Sequence, residues 1–372
     1  MSSLIEQLFP FPVNAHAFNK DRSQVAICPN SNQVHIYQRS SSSWTLLHVL
    51  KEHDLLVTCI DWAPESNRLV TCGQDRNAYV WNLDAETGQW KPTLVLLRIN
   101  RAATFVRWSP REDKFAVASG ARSVAICYFE EDNDWWMSKH LKKPIRATVL
   151  SVDWHPNNVL LAVGAADMRA YVLSAYIKSL DSKPAPGPWG EKLPFNTVCG
   201  EFIPPSGGWV HAVAFSPSGD ALAFTGHDSS LTIIYPGSSS EGQVVVKTTG
   251  LPYVSLSWLA EDRIVAVGHD CCPAYFKSTG SNQWSFDRAI DQKEAKATTT
   301  TSGSSAFNMF RQMDSHGSSK SSSGSSSGGG SKDLNTLHQN TITMVRPYKT
   351  SGPQVEEYST SGLDGRLVIW AV

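Results

Sequence analysis

Residues 57–81 read Val57-Thr-Cys-Ile-Asp-Trp62-Ala-Pro64-Glu-Ser-Asn-Arg-Leu69-Val-Thr-Cys72-Gly73-Gln-Asp75-Arg-Asn-Ala78-Tyr-Val-Trp81. The stretch spells strand, break, strand, tight turn, strand. Val57–Trp62 runs mostly apolar, as a half-buried strand does. Pro64 has no N–H to give a ladder and ends it. Leu69–Cys72 is a second strand. Gly73-Gln-Asp75 is a turn, where Gly tolerates positive φ and Asp bonds the turn's backbone. Ala78–Trp81 is a third strand.

The pattern recurs. Seven nine-residue segments align: Pro29–Tyr37, Gly73–Trp81, Gly120–Tyr128, Ala165–Leu173, Gly226–Ile234, Gly268–Phe276 and Gly362–Trp370. Each opens on a small or turn-forming residue, most carry Asp two positions later, and each closes on a large apolar residue. Their starts lie 44, 47, 45, 61, 42 and 94 residues apart. A second landmark precedes most of them: Asp61-Trp62-Ala-Pro64, Arg107-Trp108-Ser-Pro110, Asp153-Trp154-His-Pro156, Ala214-Phe215-Ser-Pro217 and a weaker Ser257-Trp258. A period near 44 with this texture predicts an all-β, seven-bladed propeller occupying residues 1–372. One small sheet cannot bury both faces alone, and stacking seven in a ring buries them between neighbours. The last repeat holds three candidate strands, Thr341–Val345, Glu357–Ser361 and Arg366–Val372. Residues 1–13, with the apolar 4–10, are expected to supply its outer strand and so remove an open sheet edge.

These residues resemble the WD-repeat family, with His53, Thr71, Asp75 and Trp81 as the fullest copy of its motif. The resemblance implies a buried hydrogen-bonded chain through those four that stiffens the blade. Other copies replace Trp by Tyr, Leu, Ile or Phe, and Arg122 stands where Asp would be, so the chain of four is not carried to every blade.

Further stretches narrow the likeness: Asn14-Ala-His-Ala-Phe-Asn19, Asp75-Arg-Asn-Ala-Tyr-Val-Trp81, Thr104-Phe-Val-Arg-Trp-Ser-Pro110, Phe129-Glu-Glu-Asp-Asn-Asp-Trp-Trp136 and Ser305-Ala-Phe-Asn-Met-Phe-Arg311. They resemble the propeller-subunit family of the seven-subunit actin-related-protein complex that nucleates branched actin filaments. The resemblance covers almost the whole length. It implies a non-catalytic scaffold that holds small subunits and helps set two actin-related subunits side by side. It implies contacts with the actin filament and with nucleation-promoting factors, and a place in the cytoplasm at the cortical actin cytoskeleton. The alternative from another class is a substrate-receptor propeller of a ubiquitin ligase or a chromatin complex.

Two intervals exceed the period. The first leaves a Pro-rich stretch, 181–208, expected as a semi-rigid surface loop. The second leaves 287–337, where 15 of the 17 residues in 315–331 are Ser or Gly. Such a tract buries too little apolar area to offset its ordering entropy and is expected to be a tether. Ahead of it Ala306, Met309, Phe310 and Met313 fall at i, i+3, i+4 and i+7 of a helix that Ser305 can cap. Phe307, Met309, Phe310, Arg311 and Met313 are the candidate partner contacts; the other reading packs this face on its own propeller. The resemblance adds that this helix touches actin.

Composition excludes other classes. There are 33 Lys+Arg against 34 Asp+Glu, a formal net charge of −1, so no global drive toward nucleic acid exists. No apolar run approaches the roughly 18 residues of a membrane span, and residues 1–8 lack the basic and apolar regions of a signal peptide. Seven cysteines without a Cys-x-x-Cys pair, and no glycosylation sequon, fit a reducing compartment. Gly226-His-Asp228 and Gly268-His-Asp270 occupy the repeat's turn slot and are read as structure, not as parts of a catalytic relay. Gly237–Gly242 lacks the Lys-Ser/Thr of a phosphate loop. Cys271-Cys272 is read as inert within a strand. No catalytic, metal or cofactor site is expected. The basic run Lys139–Arg146 is either a solvated connection or a docking surface for an acidic peptide, with Lys142, Lys143 and Arg146 as its candidates.

Overall fold

A computed structural model describes residues 3–40, 43–237, 242–280, 283–291, 334 and 336–372. The described strands form seven four-stranded sheets. Blade 1 comprises Ala15–Phe18, Gln24–Cys28, Val34–Arg39 and Trp44–Leu50; blade 2 comprises Val57–Ala63, Arg68–Gly73, Ala78–Leu83 and Trp90–Val95. Blade 3 is Ala103–Trp108, Lys114–Ser119, Ser123–Glu130 and Trp135–Leu141; blade 4 is Val149–Trp154, Leu160–Ala165, Arg169–Ser174 and Val198–Phe202. Blade 5 is Val210–Phe215, Leu222–Gly226, Ser230–Ile234 and Gln243–Lys247; blade 6 is Tyr253–Ala260, Arg263–Gly268, Ala274–Gly280 and Gln283–Ala289. Blade 7 takes Ile342–Ser351, Gln354–Gly362 and Arg366–Ala371 from one end of the chain and Ser3–Leu8 from the other. Ser3 lies opposite Trp370 and Leu8 opposite Arg366. The seven-bladed all-β propeller read from the repeat is what the chain forms.

Burial explains the landmarks. The inner strand's Asp-Trp or equivalent sets an aromatic against an outer-strand tryptophan. Trp62 and Trp90 meet edge-on at 5.6 Å, Trp108 and Trp136 at 6.0 Å, and Trp258 and Trp284 at 5.5 Å. Such edge-to-face pairs contribute about 1 kcal/mol beyond the area they bury. Blade 5 has no outer-strand aromatic. There Phe215 meets Trp189, contributed by the chain between blade 4's third and outer strands, at 5.6 Å.

That tryptophan revises the reading of 181–208 as a surface loop. Val198–Phe202 within it is the outer strand of blade 4. Trp189 and Leu193 are buried, and Trp189 Nε1 donates to the Gly219 carbonyl at 2.8 Å. Asp181, at its start, is fully buried in an ion pair with Lys114 of blade 3. Its carboxylate also accepts from Asn158 Nδ2 at 3.0 Å and from the Ile177 N–H at 2.7 Å. A buried charge needs this many partners. In the second insertion, 287–289 still belong to the outer strand of blade 6. The expected helix with Phe307, Met309, Phe310, Arg311 and Met313, and the tract 315–331, lie outside the described residues. Cys271-Cys272 sits in the turn before Ala274–Gly280 rather than in the strand, because Cys271 takes a φ of 60° that a strand forbids.

Neighbouring blades are tied by threonine hydroxyls, three on inner strands and Thr225 on the second strand of blade 5. Thr58 Oγ1 donates to the Ala103 carbonyl at 2.9 Å, Thr104 Oγ1 to Val149 at 2.6 Å, Thr225 Oγ1 to Tyr253 at 3.2 Å and Thr343 Oγ1 to Val13 at 2.9 Å. Each links one blade to the start of the next.

Candidate functional site: the loop face of blades 2 to 4

Antiparallel order puts two kinds of connection on one face of the disc: the turn between second and third strands, and the link from an outer strand to the next blade.

Blade 2 shows how the face is held. His53 lies in the link from blade 1; Thr71 and Asp75 bracket the turn; Trp81 ends the third strand. His53 Nδ1 is 2.8 Å from Asp75 Oδ2 and His53 Nε2 is 2.8 Å from Thr71 Oγ1. Trp81 Nε1 donates to the same hydroxyl at 3.0 Å. Burial pushes the Asp75 carboxyl up, but the His53 hydrogen bond and charge and the N–H groups of Asn77 and Asp54 outweigh it, so its pKa is lowered. Gly73 is required by close approach: a Cβ there would lie 2.9 Å from His53 Nδ1 and 3.0 Å from Asp75 Oδ1.

Blade 7 holds a second copy that the sequence reading missed. His338 Nε2 is 2.8 Å from Thr360 Oγ1, His338 Nδ1 is 3.1 Å from Asp364 Oδ1, and Trp370 Nε1 donates to Thr360 at 2.8 Å. A Cβ on Gly362 would lie 2.8 Å from His338 Nδ1. His and Thr are 22 residues apart here and 18 in blade 2, and the histidine stands one residue past the inserted stretch 287–337. The usable signal is Thr360-Ser-Gly-Leu-Asp364 followed by Trp370, which repeats Thr71, Asp75 and Trp81 at identical offsets.

The face is strongly polarised in charge. Arg76 and Arg122 stand exposed at the turns of blades 2 and 3. Arg98 and Arg101 are exposed in the link between those blades, and Lys142, Lys143 and Arg146 in the link to blade 4. Among the described residues none of the seven side chains enters an ion pair. The described links and turns at 203–209, 227–229, 248–252, 269–273, 336–341, 363–365, 9–14 and 29–33 contain no Lys or Arg, and the link 51–56 into blade 2 carries exposed Lys51 beside exposed Glu52 and Asp54. So Lys142, Lys143 and Arg146 are one end of a larger arc. The Arg146 backbone N–H donates to Asp167 Oδ2 at 2.8 Å, fixing this end against blade 4.

Backbone conformation sharpens the point. Blade 7 fills the tip of its turn with Gly365 at φ 76°, whereas blades 2 and 3 use Arg76 at 70° and Arg122 at 57°. A left-handed residue with a Cβ costs about 1 kcal/mol. Blades 4, 5 and 6 carry the same cost with Met168 at 66°, Ser229 at 61° and Cys271 at 60°, so the conformation belongs to the turn, and blades 2 and 3 differ in presenting a guanidinium at it.

The histidines and aspartates of the other turns bond locally. Asp228 bonds Ser230 Oγ at 2.5 Å and Asp270 accepts the Leu251 N–H at 2.9 Å, while His227 Nδ1 faces His211 Nε2 at 2.8 Å. These residues organise turns. Burial pushes the thiols of Cys28, Cys59, Cys72 and Cys127 up, away from the reactive thiolate. Among the described residues no group of three or more His, Cys, Asp or Glu could hold a metal ion. No described helix is long and apolar enough to cross a membrane.

Comparison with known proteins follows the blades. A protein named actin-related protein 2/3 complex subunit 1, from Schizosaccharomyces pombe, is 48% identical over 100% of both chains. The chain belongs to the actin-related protein 2/3 complex subunit 1 family. Subunit 1A-B of Xenopus laevis is 48% identical over 98% of this chain and 95% of its own, and the Saccharomyces cerevisiae subunit 1 is 36% identical over 99% and 97%.

The family described as WD domain, G-beta repeat matches residues 44–82 and 138–173. Each match starts at or within an outer strand and ends in the third strand of the next blade, so the sequence repeat is offset from the blade by one strand. In this chain, blade 7 completes its four hydrogen-bonding residues, yet its repeat is split by the inserted stretch.

Proposed function

We propose that this chain is a non-catalytic scaffold subunit of an actin-related protein 2/3 complex. It holds small subunits and the actin-related subunits during nucleation of branched actin in the cytoplasm. In this reading the residues around Phe307, Met309, Phe310, Arg311 and Met313 contact the actin filament, and the loop face of blades 2 to 4 receives an acidic segment of a nucleation-promoting factor.

One observation carries the second contact: seven exposed, ion-pair-free cations on three adjacent blades, in a chain with net charge −1. Charge complementarity of this kind sets encounter rate and specificity and weakens with salt. The test uses the assembled complex with Lys142→Glu and Lys143→Glu. Binding of an acidic activator segment should fall and lose its salt dependence while subunit stoichiometry stays intact. Unchanged binding would remove the reading, and co-purification with a ligase adaptor in place of actin-related proteins would remove the assignment to the complex.

A further inference from the structure

Blade 5 breaks the pattern of inner-strand hydroxyls. The second residue of the inner strand is Thr58 in blade 2, Thr104 in blade 3 and Thr343 in blade 7, and each hydroxyl ties its blade to the next. Blade 5 carries His211 there. Among the described residues its side chain makes one hydrogen bond, to the turn of its own blade: Nε2 lies 2.8 Å from Nδ1 of His227. His211 also lines the cavity of about 190 Å³ that the inner strands surround, so the pair stands at the mouth of that cavity.

The pair is held by contacts that leave its ring nitrogens out. The His227 backbone N–H donates to the Trp209 carbonyl at 2.9 Å. The Trp209 ring lies 5.6 Å from that of His227 and 6.3 Å from that of His211. A Cβ on Gly208 would lie 3.2 Å from the Cβ of His227, so glycine is what lets the link pass this close. Charge favours a cation here. The links and turns 203–209, 227–229, 248–252 and 269–273 contain Asp228 and Asp270 and no Lys or Arg. Among the described residues Asp228 Oδ2, beside His227 in the turn, is buried and has no hydrogen-bond partner. Burial first, then the charges of His227 and His269, hold His211 at a pKa of about 4, which keeps it in the neutral form that metals bind.

We propose that His211 and His227 form a binding site for a transition-metal dication of the zinc and copper class, with water in the remaining positions. Zinc binds imidazole nitrogen at about 2.0–2.1 Å in tetrahedral geometry, which sets two such nitrogens about 3.3 Å apart. The pair has to part by about 0.5 Å to reach that spacing, and the exposed His227 ring can turn by this much. One imidazole now donates its N–H to the other. On binding, that proton moves through water to the far nitrogen of its own ring, so both rings stay neutral and each turns a lone pair to the metal. Among the described residues no third His, Cys, Asp or Glu joins them. His269 is tied elsewhere, with Nδ1 3.0 Å from Thr341 Oγ1. Two imidazoles suit zinc and copper and give little to magnesium, which takes oxygen ligands. A bound ion would clip the inner strand of blade 5 to its own turn.

The experiment titrates the full-length chain by calorimetry with Cu²⁺, Zn²⁺ and Mg²⁺ in turn, at neutral pH. One equivalent of Cu²⁺ or Zn²⁺ should bind, Cu²⁺ more tightly, and Mg²⁺ should not. His211→Asn and His227→Asn should each weaken Zn²⁺ at least about tenfold, the least that loss of even an outer-shell partner brings. His269→Asn should leave the affinity unchanged. Zn²⁺ should raise the unfolding midpoint of the unaltered chain and not that of His227→Asn, whose metal-free midpoint should match the unaltered chain's because the ring is exposed. Equal Zn²⁺ binding in the unaltered chain and both variants, which would mean an adventitious ion only, overturns the site. So does Mg²⁺ binding as tightly as Zn²⁺, or a loss in His269→Asn as large as in His227→Asn.

Discussion

Arg346, on the inner strand of blade 7, places Nη1 2.6 Å from Oδ1 of Asp61 on blade 2 and donates through Nη2 to the Ile60 carbonyl at 2.8 Å. The pair passes over blade 1, whose inner strand offers only small side chains, Ala15 and Ala17, on that side. Asp61 Oδ2 also accepts the Trp108 backbone N–H of blade 3 at 2.8 Å, so one carboxylate couples blades 7, 2 and 3.

Removing either partner leaves a buried charge without its counterpart. Arg346→Met or Asp61→Leu should each destabilise the propeller by about 3 kcal/mol. The double variant should lose clearly less than the sum. Denaturant midpoints of the four proteins of this cycle check it; simple additivity would show the pair to be independent.

Acid should loosen the junction between the first and last blades. His16 is fully buried, 2.8 Å from Ser361 Oγ through Nδ1 and 2.8 Å from Ser359 Oγ through Nε2. Burial first, then the charges of Arg346 and His338, hold its pKa well below the ordinary value. The unfolded chain therefore binds the extra proton, and the stability that neutral His16 contributes is lost as pH falls below about 6.5. The expected slope is about 1.4 kcal/mol per pH unit for one group. In His16→Gln this part of the slope should vanish, read from unfolding free energies between pH 7 and 5.

The carboxylates Asp75 and Asp364 act in a lower window. Burial raises each and histidine contact plus backbone N–H groups lower it further, to a net depression. Their contribution is present above about pH 3.9 and is lost as pH falls toward their folded values. Asp75→Asn with Asp364→Asn should flatten the stability profile below pH 4 and leave the His16 window unchanged.

Thr71 and Thr360 each serve a histidine and a tryptophan at once. Thr71→Val strands two buried ring nitrogens and should cost about 2 kcal/mol. Thr360→Val should cost a similar amount, measured by thermal or denaturant unfolding. A negligible effect at Thr360 would mark the second set as dispensable.

Arg122→Gly separates stability from recognition. Relief of the left-handed strain and the higher chain entropy of glycine nearly cancel, so stability should stay within about 0.5 kcal/mol. Affinity for an acidic peptide should nevertheless fall. Loss of folding without loss of binding would reverse the argument.

Much of this architecture is legible in the residues, because a repeating unit states its own boundaries. Trp62, Trp108, Trp154 and Trp258 mark inner strands, and Gly73 and Gly362 mark turns that admit no side chain. Three features are less legible, each because its cause is distant in sequence. His338 acts across a gap of variable length. Trp189 fills a hole that blade 5's own outer strand, Gln243–Lys247, leaves empty. The arc of cations reads locally as a short basic run at Lys139–Arg146; only the ring brings Arg76, Arg98, Arg101 and Arg122 beside it.

Ser3–Leu8 and Arg366–Ala371 are far apart in sequence and form neighbouring strands of one ladder. Ser3–Leu8 is made well before Arg366–Ala371 and has no partner until that strand follows. Until then blade 7 exposes a bare edge, and a trapped or shortened nascent polypeptide would offer that edge to any strand nearby. The ring is thus closed by a clasp between segments far apart in sequence, and its closure depends on both.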